Sequence, residues 1–377
     1  MDFNHTEERR MLQDTLRRYF SEQYSQDARV AASQSDEGFS KTVWKTLADL
    51  GVIGMLFKES DGGYGGAGFD IAVVFEELGR AGAIEPFLQN GVLAGGLLAA
   101  KGSDAQKAVI ADVIEGEAHL ALAHSEPNSR YALNHVETRA TKTDSAYVLS
   151  GRKCVVMNGH AADVLVISAR VSGEADSEDG ISLFCVPRES AGISWQTYET
   201  MDGCSASEII LENVELPLSA LLGVEGEAFH AIEKNAAFGI LALCAKSVGA
   251  MECAKDLTLE YLRTREQFGI PIGKFQALQH RMADMLIEIE QARSAMVNLA
   301  SHMRSERGER EKYASAAKNL IGRVGKLVAE ECVQMHGGIG MTDEYALAHY
   351  AKTMIMIDHQ LGDVDHHLER FIRFSQG

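Results

Sequence analysis

Glycines and histidines near the C-terminus are the first residues whose spacing points to chemistry. The segment QMHGGIGMTDEY, residues 334–345, interrupts a helical pattern with Gly337 and Gly338. Glycines let backbone N–H groups approach a ligand closely, although such a cluster is equally typical of a simple turn. His366 and His367 could be mistaken for metal ligands, but adjacent residues on a helix point about 100° apart and no third ligand accompanies them. We therefore predict no metal site.

A second segment, TREQFGIPIGKFQALQHRMADM, joins two long helical patterns at residues 264–285. Gly269, Pro271 and Gly273 mark a turn, because glycine and proline interrupt helices. From residue types alone, the segment could be a connector with a packed phenylalanine. Its combination of residues is unusually specific, so we treat it as a candidate site.

Composition and charge exclude several classes of protein. The 377 residues are 46% hydrophobic and 24% charged, as in ordinary soluble proteins. The net charge of −18 argues against nucleic acid as a partner. The six cysteines lie far apart and predict reduced thiols. The N-terminus has no apolar signal segment, which predicts a cytoplasmic protein, and the longest apolar run, residues 236–245, is too short to span a membrane.

Helical periodicity dominates both ends of the chain. The first 100 residues have apolar side chains at helical intervals on either side of a glycine-rich loop, residues 59–68. Proline is rare at both ends, which allows long helices. Four long amphipathic segments follow at residues 227–264, 275–306, 310–336 and 344–374. We predict a helical N-terminal domain and a C-terminal four-helix bundle.

The middle of the chain has a strand pattern. About seven short β-rich runs are separated by turn residues without intervening helices, which is typical of an antiparallel barrel or sandwich. The acidic run at residues 171–180 predicts a structureless hairpin loop. The fold class is therefore α+β, with an N-terminal helical domain at 1–117, a central antiparallel β-domain at 118–225 and a helical bundle at 226–377. The absence of βαβ alternation argues against a Rossmann domain.

Four motifs in this order resemble those of the acyl-CoA dehydrogenase family. The segments at 264–285 and 334–345 are similar to the family's RxxFG...FQ and Q-x-x-GG-x-G motifs. HSEPNSRY, residues 124–131, is similar to its TEPxxGSD segment, and GRKCVVMNG, residues 151–159, is similar to its GxKxWITN strand. The resemblance covers nearly the whole chain. It is greatest to the small subunits of heteromeric enzymes, such as pimeloyl-CoA dehydrogenase and the bacterial steroid side-chain acyl-CoA dehydrogenases.

The resemblance implies FAD, held between subunits of a dimer of dimers. Arg265 would neutralise the pyrophosphate, Phe268 would pack on the cofactor, and Gln276 would hydrogen-bond it from the same turn. Each of these roles is assigned by position in the motif.

The resemblance implies further contacts from two other segments. Gln334, Gly337 and Gly338 would approach the adenosine-diphosphate part from the neighbouring subunit. Ser125 and the backbone near Met157 would lie at the isoalloxazine ring.

The sequence departs from the family pattern around the flavin. Val155 stands in place of the family's tryptophan and Met157 in place of its threonine, so the flavin would lose aromatic cover and a hydroxyl contact. Arg130 falls where the family has its GSD residues. A buried arginine there would need an anion, such as a CoA or flavin phosphate or a substrate carboxylate, but a surface arginine in a loop is an equal alternative.

No carboxylate matches the family's catalytic base. The usual position, before a glycine that corresponds to Gly362, is Leu361, which cannot accept a proton. The alternative positions on the long helix are Gly239 and Lys246.

Two acidic residues near this turn are the nearest substitutes for the missing base. They are Asp358 and Asp363, and both are better explained as helix-surface or capping residues. His366 and His367 would then lie near FAD or the subunit interface. The identity of the base is therefore unknown from the sequence.

Three hypotheses follow from the resemblance. The leading one is an FAD-dependent acyl-CoA dehydrogenase subunit that oxidises the Cα–Cβ bond of an acyl-CoA thioester to the 2-enoyl-CoA and passes electrons to an electron-transfer flavoprotein. A paralogous subunit in a homo- or heterotetramer would then hold the base. The alternatives are a non-catalytic structural subunit with flavin motifs, and a flavin oxidase, monooxygenase or lyase on the same fold.

Overall fold

The computed structural model describes residues 6–376, and these divide into two compact units. We call residues 6–29, 68–83 and 240–376 the helical unit, and residues 30–67 and 84–239 the sheet unit. The α+β class and its arrangement of helices, strands and helices along the chain are confirmed. The boundaries predicted after residues 117 and 225 stay a prediction.

The helices in chain order are α1 (Glu7–Gln23), α2 (Gln26–Ser33), α3 (Lys41–Asp49), α4 (Gly68–Ala81), α5 (Gly95–Lys101), α6 (Asp104–Lys107), α7 (Val109–Ile114), α8 (Phe229–Thr264), α9 (Gln276–His302), α10 (Arg307–His336), α11 (Ala346–Asp358) and α12 (Val364–Gln376). A π-helical stretch, Leu88–Ala94, precedes α5.

The strands are β1 (Leu120–Ala123), β2 (Arg139–Lys142), β3 (Ala146–Met157), β4 (Val164–Arg170), β5 (Ile181–Pro187), β6 (Ile193–Glu199), β7 (Ser205–Pro217), β8 (Leu221–Leu222), β9 (Glu266–Gln267) and β10 (Ile270–Pro271). The first eight form one sheet in the order β6-β7-β3-β2-β4-β5-β8, and β1 pairs with β4. That last pairing is parallel, as is the single pairing of Arg139 with Arg170 between β2 and β4, whereas the other ladders between these strands are antiparallel. Alternating residues of these strands form a continuous apolar core.

Within the helical unit, α4 and α8 cross at very short range. A methyl group on Gly79 would collide with the carbonyl oxygen of Lys246, and one on Gly249 would collide with that of Glu76. Arg293 of α9 then donates to both Glu76 and Glu252, at 2.7 and 2.9 Å. Small residues therefore allow the backbones to approach, and a buried ion-pair network ties the three helices together.

The fourth C-terminal helical segment is broken, contrary to the prediction of one helix over 344–374. Helix α11 ends at Asp358, and α12 begins at Val364 with its N-terminus capped by Asp363, whose side chain accepts from the amide of His366 at 2.9 Å. Leu361 and Gly362 between them have positive φ, 55° and 110°. The break creates a tight turn at the position that the sequence comparison gave to the family's base.

The acidic loop at residues 171–180 is ordered rather than structureless. Arg170 is buried, and its guanidinium donates to the main-chain oxygens of Ala175, Ser177 and Asp179 at 2.7, 3.1 and 2.8 Å. Sequence patterns miss this because the organising group is a strand residue that precedes the loop.

Helix α8 is the one described helix that is long and apolar enough to cross a membrane by length and composition, which the sequence reading had not identified. In its most apolar 18-residue window, 83% of the residues are buried within the protein. That degree of burial is typical of a core helix.

Candidate cofactor and substrate site

The turn between α8 and α9 presents an exposed aromatic ring on a constrained backbone. β9 and β10 pair as a two-residue hairpin, with Gln267 opposite Ile270. Its central residues, Phe268 and Gly269, have φ of 55° and 80°, the combination found in type I′ turns. Glycine adopts this conformation readily, but phenylalanine does so at a cost. The Phe268 side chain is nevertheless 93% exposed in the single chain, so burial within this chain does not explain it.

Arg265 begins the same turn with an exposed guanidinium. Its carbonyl accepts from the amide of Ile272 at 2.8 Å, which fixes the backbone. Within residues 6–376 its side chain makes no ion pair, although the protein carries an 18-charge excess of acidic groups. Gln276, the first residue of α9, is also exposed. An unpaired arginine and a side-chain amide could donate to a phosphate group, and the exposed ring beside them could pack on a planar heterocycle.

The glycine turn after α10 is also open to solvent. Gly337 has φ of 67°, and a methyl group placed on Gly337 or Gly338 would meet no atom within 4 Å. Gln334 on the last turn of α10 is exposed. These three residues therefore offer an uncovered polar surface, as a site shared with a second subunit requires.

His336, which the sequence reading did not single out, organises this end of α10. Its ring stacks on Tyr261 at a centroid distance of 4.5 Å, and its Nε2 lies 3.3 Å from the hydroxyl of Tyr345. Nδ1 lies 2.8 Å from the carbonyl oxygen of Cys332. The stack fixes the start of the glycine turn.

In the sheet unit, the two remaining motifs are joined by main-chain and buried ionic contacts. The amide of Cys154 donates to the carbonyl of Ser125 at 2.9 Å. The ammonium of Lys153 donates to Glu126 at 2.6 Å, to Ser168 at 2.9 Å and to the carbonyl of His124 at 3.2 Å. These three acceptors match the three N–H bonds of the ammonium. The two motifs therefore form one rigid substructure.

Glu126 and Lys153 are functional candidates that were not identified from the sequence, although they lie in the segments at 124–131 and 151–159. Burial is the largest single influence on Glu126 and opposes its ionisation, but the Lys153 charge together with the hydrogen bonds from Lys153, Thr138 and Glu137 holds the pKa of Glu126 below its ordinary value. Amides of Glu137 and Thr138 add hydrogen bonds of 2.6 and 3.1 Å. The sequence does not reveal this ion pair, because Glu126 and Lys153 meet only when the fold brings β3 beside the 124–131 segment.

The side chains near the predicted flavin position differ in exposure. Ser125 is exposed, while Met157 is half-buried against a small apolar cluster of Ala32, Ile84 and Cys204. The Met157 backbone pairs with Ala206 in the β3–β7 ladder. Val155 has φ of 51° and is 52% exposed. Their contacts with the flavin stay predictions.

Arg130 is exposed in the single chain and has φ of 47°. The structure thus gives the surface-loop arginine that was one of the two alternatives. A role toward a phosphate or a carboxylate stays a prediction.

The turn at residues 359–363 is held by two buried basic side chains. Lys318 donates to the carbonyl oxygens of Asp358 and Gly362, at 3.0 and 2.5 Å. His367 Nε2 lies 2.9 Å from the carbonyl of Leu361. Burial lowers the pKa of Lys318 to about 8 and that of His367 to about 2. Leu361 itself is half-buried. Lys318 and His367 thus hold in place a turn whose residue at position 361 is apolar.

The other acidic and basic candidates have structural surroundings. Asp358 ends α11, and burial raises the pKa of its carboxyl. Asp363 caps α12, as predicted for a capping residue. Burial lowers the pKa of His366 to about 4. Within residues 6–376, no cluster of three His, Cys, Asp or Glu residues could hold a metal ion.

The alternative base positions lie on α8. Gly239 is buried and Lys246 is half-buried. Neither provides a carboxylate, so the identity of the base stays open.

A separate cleft of about 710 Å³ lies in the sheet unit and contains none of the predicted site residues. Its basic side chains are already paired, for example Lys45 with Glu117 at 2.7 Å and Arg188 with Glu189 at 3.1 Å. Lys41 is likewise paired with Glu37, so the lysine and arginine side chains of this cleft offer no unpaired positive charge to a ligand.

Comparison with known proteins covers nearly the whole chain. Three family models match in order: the acyl-CoA dehydrogenase N-terminal domain at residues 6–117, the middle domain at 121–214 and the C-terminal domain at 226–359. The short-chain specific acyl-CoA dehydrogenase of Megasphaera elsdenii is 30% identical over 93% of this chain and 94% of its own. The caffeyl-CoA reductase-Etf complex subunit CarC of Acetobacterium woodii is 30% identical over 90% of each chain.

Solved structures agree with this assignment. Butyryl-CoA dehydrogenase from Megasphaera elsdenii superposes with a TM-score of 0.90 at 26% identity over 100% of both chains. A variant of the Tcur3481-Tcur3483 steroid ACAD gives 0.87 at 29% identity over 98% of both chains. Sequence motifs, domain order and fold agree, and the chain belongs to the acyl-CoA dehydrogenase family, FAD-binding oxidoreductases that act on the CH–CH group of acyl-CoA thioesters.

Proposed function

We propose that the chain is a subunit of an FAD-dependent acyl-CoA dehydrogenase that holds FAD jointly with a paralogous subunit, which supplies the catalytic base. The observation that carries the proposal is a contrast between two turns. The turn at Arg265 and Phe268 has the donor and the exposed ring that a cofactor needs, whereas the other turn carries leucine at position 361 and uses its Asp363 carboxylate to cap α12. One half of the expected machinery is present and the other is missing.

The cofactor half consists of exposed residues, among which Arg265 makes no ion pair with any residue from 6 to 376. Arg265 would pair with the FAD pyrophosphate, Phe268 would cover a cofactor ring and Gln276 would hydrogen-bond it. Gln334 and the turn at Gly337 and Gly338 would approach the adenosine-diphosphate part bound by the neighbouring subunit. The openness around both glycines supports this assignment, because a second subunit needs that space.

The reaction that we propose forms a 2-enoyl-CoA from an acyl-CoA. FAD, when bound, would supply the acceptor for the hydride from Cβ, and a carboxylate would remove the proton from Cα. Leu361 cannot remove that proton, and neither can Gly239. Residues of this chain would orient the flavin ring through Ser125 and the backbone near Met157. Electrons would pass to an electron-transfer flavoprotein. The compartment that we propose for the reaction is the cytoplasm.

Two relatives that are named together with partners support the proposed assembly and the proposed electron acceptor. The Tcur3481-Tcur3483 steroid ACAD is named for two components, and CarC is a subunit of a complex with Etf.

A large or branched acyl group would suit the space left where Val155 and Met157 replace the family's tryptophan and threonine. Arg130 would suit a carboxylate on the substrate.

Purification of the chain alone and with its neighbouring-gene homologue tests the proposal. We expect full FAD loading and flavin reduction by acyl-CoA only for the pair. Arg265→Ala should weaken FAD binding in the pair at least about tenfold, which is roughly the loss of one charge-assisted hydrogen-bonding partner. Arg304→Ala, an exposed arginine elsewhere in the helical unit, is the matched control. Full loading and turnover without the homologue would refute the shared-site form.

A second candidate function is a non-catalytic assembly subunit. The departures at Leu361 and Val155 favour it, because both replace groups that act directly on substrate or flavin in the family. In that case, mixed tetramers carrying Arg265→Ala or Gln334→Ala would keep the flavin content of the unmodified complex.

A further inference from the structure

Strand β3 contains a bulge opposite a single acidic residue of β7. Lys153 pairs with Ile209 and Val156 pairs with Ser207, so Cys154 and Val155 together face one residue, Glu208. Two residues opposite one define a β-bulge, a feature that is often used to redirect a side chain.

The bulge holds Val155 in a conformation that valine rarely adopts. Its φ is 51°, in the left-handed region that β-branched side chains avoid. The side chain is 52% exposed, so it gains little from packing in this chain. Strain of this kind persists only when surrounding groups impose it.

The Glu208 carboxylate contacts the strained residue from the β7 side. Oε1 accepts from the backbone amide of Val155 at 3.3 Å and from the Tyr198 hydroxyl at 3.1 Å. Oε2 accepts from the Arg152 guanidinium at 3.0 Å. One carboxylate therefore satisfies the amide at the bulge and also joins β6, β7 and β3.

The other amide of the bulge points to the opposite neighbour. Cys154 donates to the carbonyl of Ser125, at 2.9 Å. Consecutive amides thus bind Ser125 on one side and Glu208 on the other. Burial, with the nearby Glu208 charge, raises the pKa of the Cys154 thiol to about 11, and burial with the Glu208 hydrogen bond raises that of Tyr198 to about 12.

We propose that Glu208 is a positioning residue that locks the Cys154–Val155 bulge and thereby sets the distance of this segment from the flavin ring. The inference rests on the proposed function, in which Ser125 and the segment up to Met157 lie beside the isoalloxazine. Glu208 acts through the backbone and does not itself contact substrate.

The experiment compares Glu208→Ala and Glu208→Gln with Glu212→Ala in full-length protein, with and without FAD. Glu212 is an exposed carboxylate on the same strand. Two measurements need no cofactor: hydrogen–deuterium exchange at the Val155 amide, and the rate of Cys154 alkylation by iodoacetamide, located by mass spectrometry. A third is the dissociation constant for FAD together with the visible absorption maximum of the bound flavin.

We expect Glu208→Ala to speed Val155 exchange and Cys154 alkylation at least about tenfold and to shift the flavin absorption maximum. Glu208→Gln should lie closer to the parent protein, because its amide oxygen still accepts from Val155. Glu212→Ala should match the parent protein in all three measurements. Should Glu208→Ala fail to fold, Glu208→Leu removes the same acceptor of the Val155 amide while it keeps more of the side-chain volume.

Two outcomes separate the failures. If Glu208→Ala, or Glu208→Leu where the alanine variant does not fold, exchanges at the Glu212→Ala rate, the positioning role is overturned, whatever FAD does. If exchange rises but neither the parent protein nor any variant binds FAD, alone or with the paralogous subunit, the lock stands while the proposed function and the flavin part of the inference fall.

Discussion

The Lys318 ammonium donates a 2.5 Å hydrogen bond to the carbonyl oxygen of Gly362, across 44 residues of sequence. A second bond from the same ammonium reaches the carbonyl of Asp358. These contacts hold the turn that carries Leu361 at positive φ. The turn therefore keeps its positioning apparatus even though the residue at its tip has no acid–base function.

Substitution of Lys318 by methionine should change how stability depends on pH. Burial lowers the folded-state pKa of Lys318 to about 8 from an ordinary value of 10.5, so between these values the unfolded chain binds more protons than the folded protein. Stability of the parent protein should therefore gain up to about 1.4 kcal/mol per pH unit there from this group. Lys318→Met should lose that gain in urea unfolding at pH 7.5, 8.5 and 9.5. Lys326→Met, an exposed lysine on the same helix, should retain it, and parallel curves for all three proteins would contradict the assignment.

His367 should also make stability depend on pH, but at acid pH instead of alkaline pH. Burial lowers its folded-state pKa to about 2, so the unfolded chain takes up a proton below pH 6.5 while the folded protein stays neutral. Stability should fall as pH decreases from 6.5, by up to about 1.4 kcal/mol per pH unit for this group. His367→Gln should flatten this fall in unfolding measured at pH 7, 6 and 5. His359→Gln, an exposed histidine of the same turn, serves as the control and should leave the fall unchanged.

The buried Glu126–Lys153 pair should be costly to break from one side. Lys153→Met leaves an unpaired buried carboxylate and should lower the free energy of unfolding by about 3–5 kcal/mol. The double variant Glu126→Gln, Lys153→Met should recover part of that loss. Lys142→Met, which removes an exposed ion pair with Glu225, should change the urea midpoint far less. An equal effect of the buried and exposed substitutions would contradict the role assigned to the pair.

Gly249 should be intolerant of any side chain. A methyl group there would collide with the Glu76 carbonyl, so Gly249→Ala should lower the free energy of unfolding by about 3 kcal/mol through overpacking. Gly308→Ala in the first turn of α10 meets no atom within 4 Å and should be neutral or stabilising by about 0.5–1 kcal/mol. Calorimetric melting of both variants measures the difference, and similar shifts would show that α4 and α8 do not cross as closely as described.

Much of the fold was predictable because local patterns carry it. Periodicity located the long helices α8, α9 and α10, and proline placement located the strands. Periodicity did not detect the break at 359–363, since helix-like apolar spacing continues through it while Lys318 and Asp363 stabilise a turn. The parallel pairing of β1 with β4 also depends on contacts that are distant in sequence.

The candidate site was predictable only as far as its motifs extend. Arg265 and Phe268 were found because their spacing matches a family pattern. Glu208 and Lys318 were missed because each acts on a backbone segment far away in the sequence, and His336 was missed because its stacking partner, Tyr261, lies on another helix. Glu126 and Lys153 were inside quoted motifs, but their mutual pairing is a property of the folded sheet.

Anaerobic mixing of the purified chain with acyl-CoA thioesters tests the central claim most directly, with flavin absorbance followed by stopped flow. The account predicts no flavin bleaching by the chain alone and rapid bleaching when its paralogous subunit is present, with Arg265→Ala in this chain reducing flavin content in the pair. Full bleaching by the chain without a partner would contradict it, because Leu361 could then not stand where a catalytic carboxylate is required.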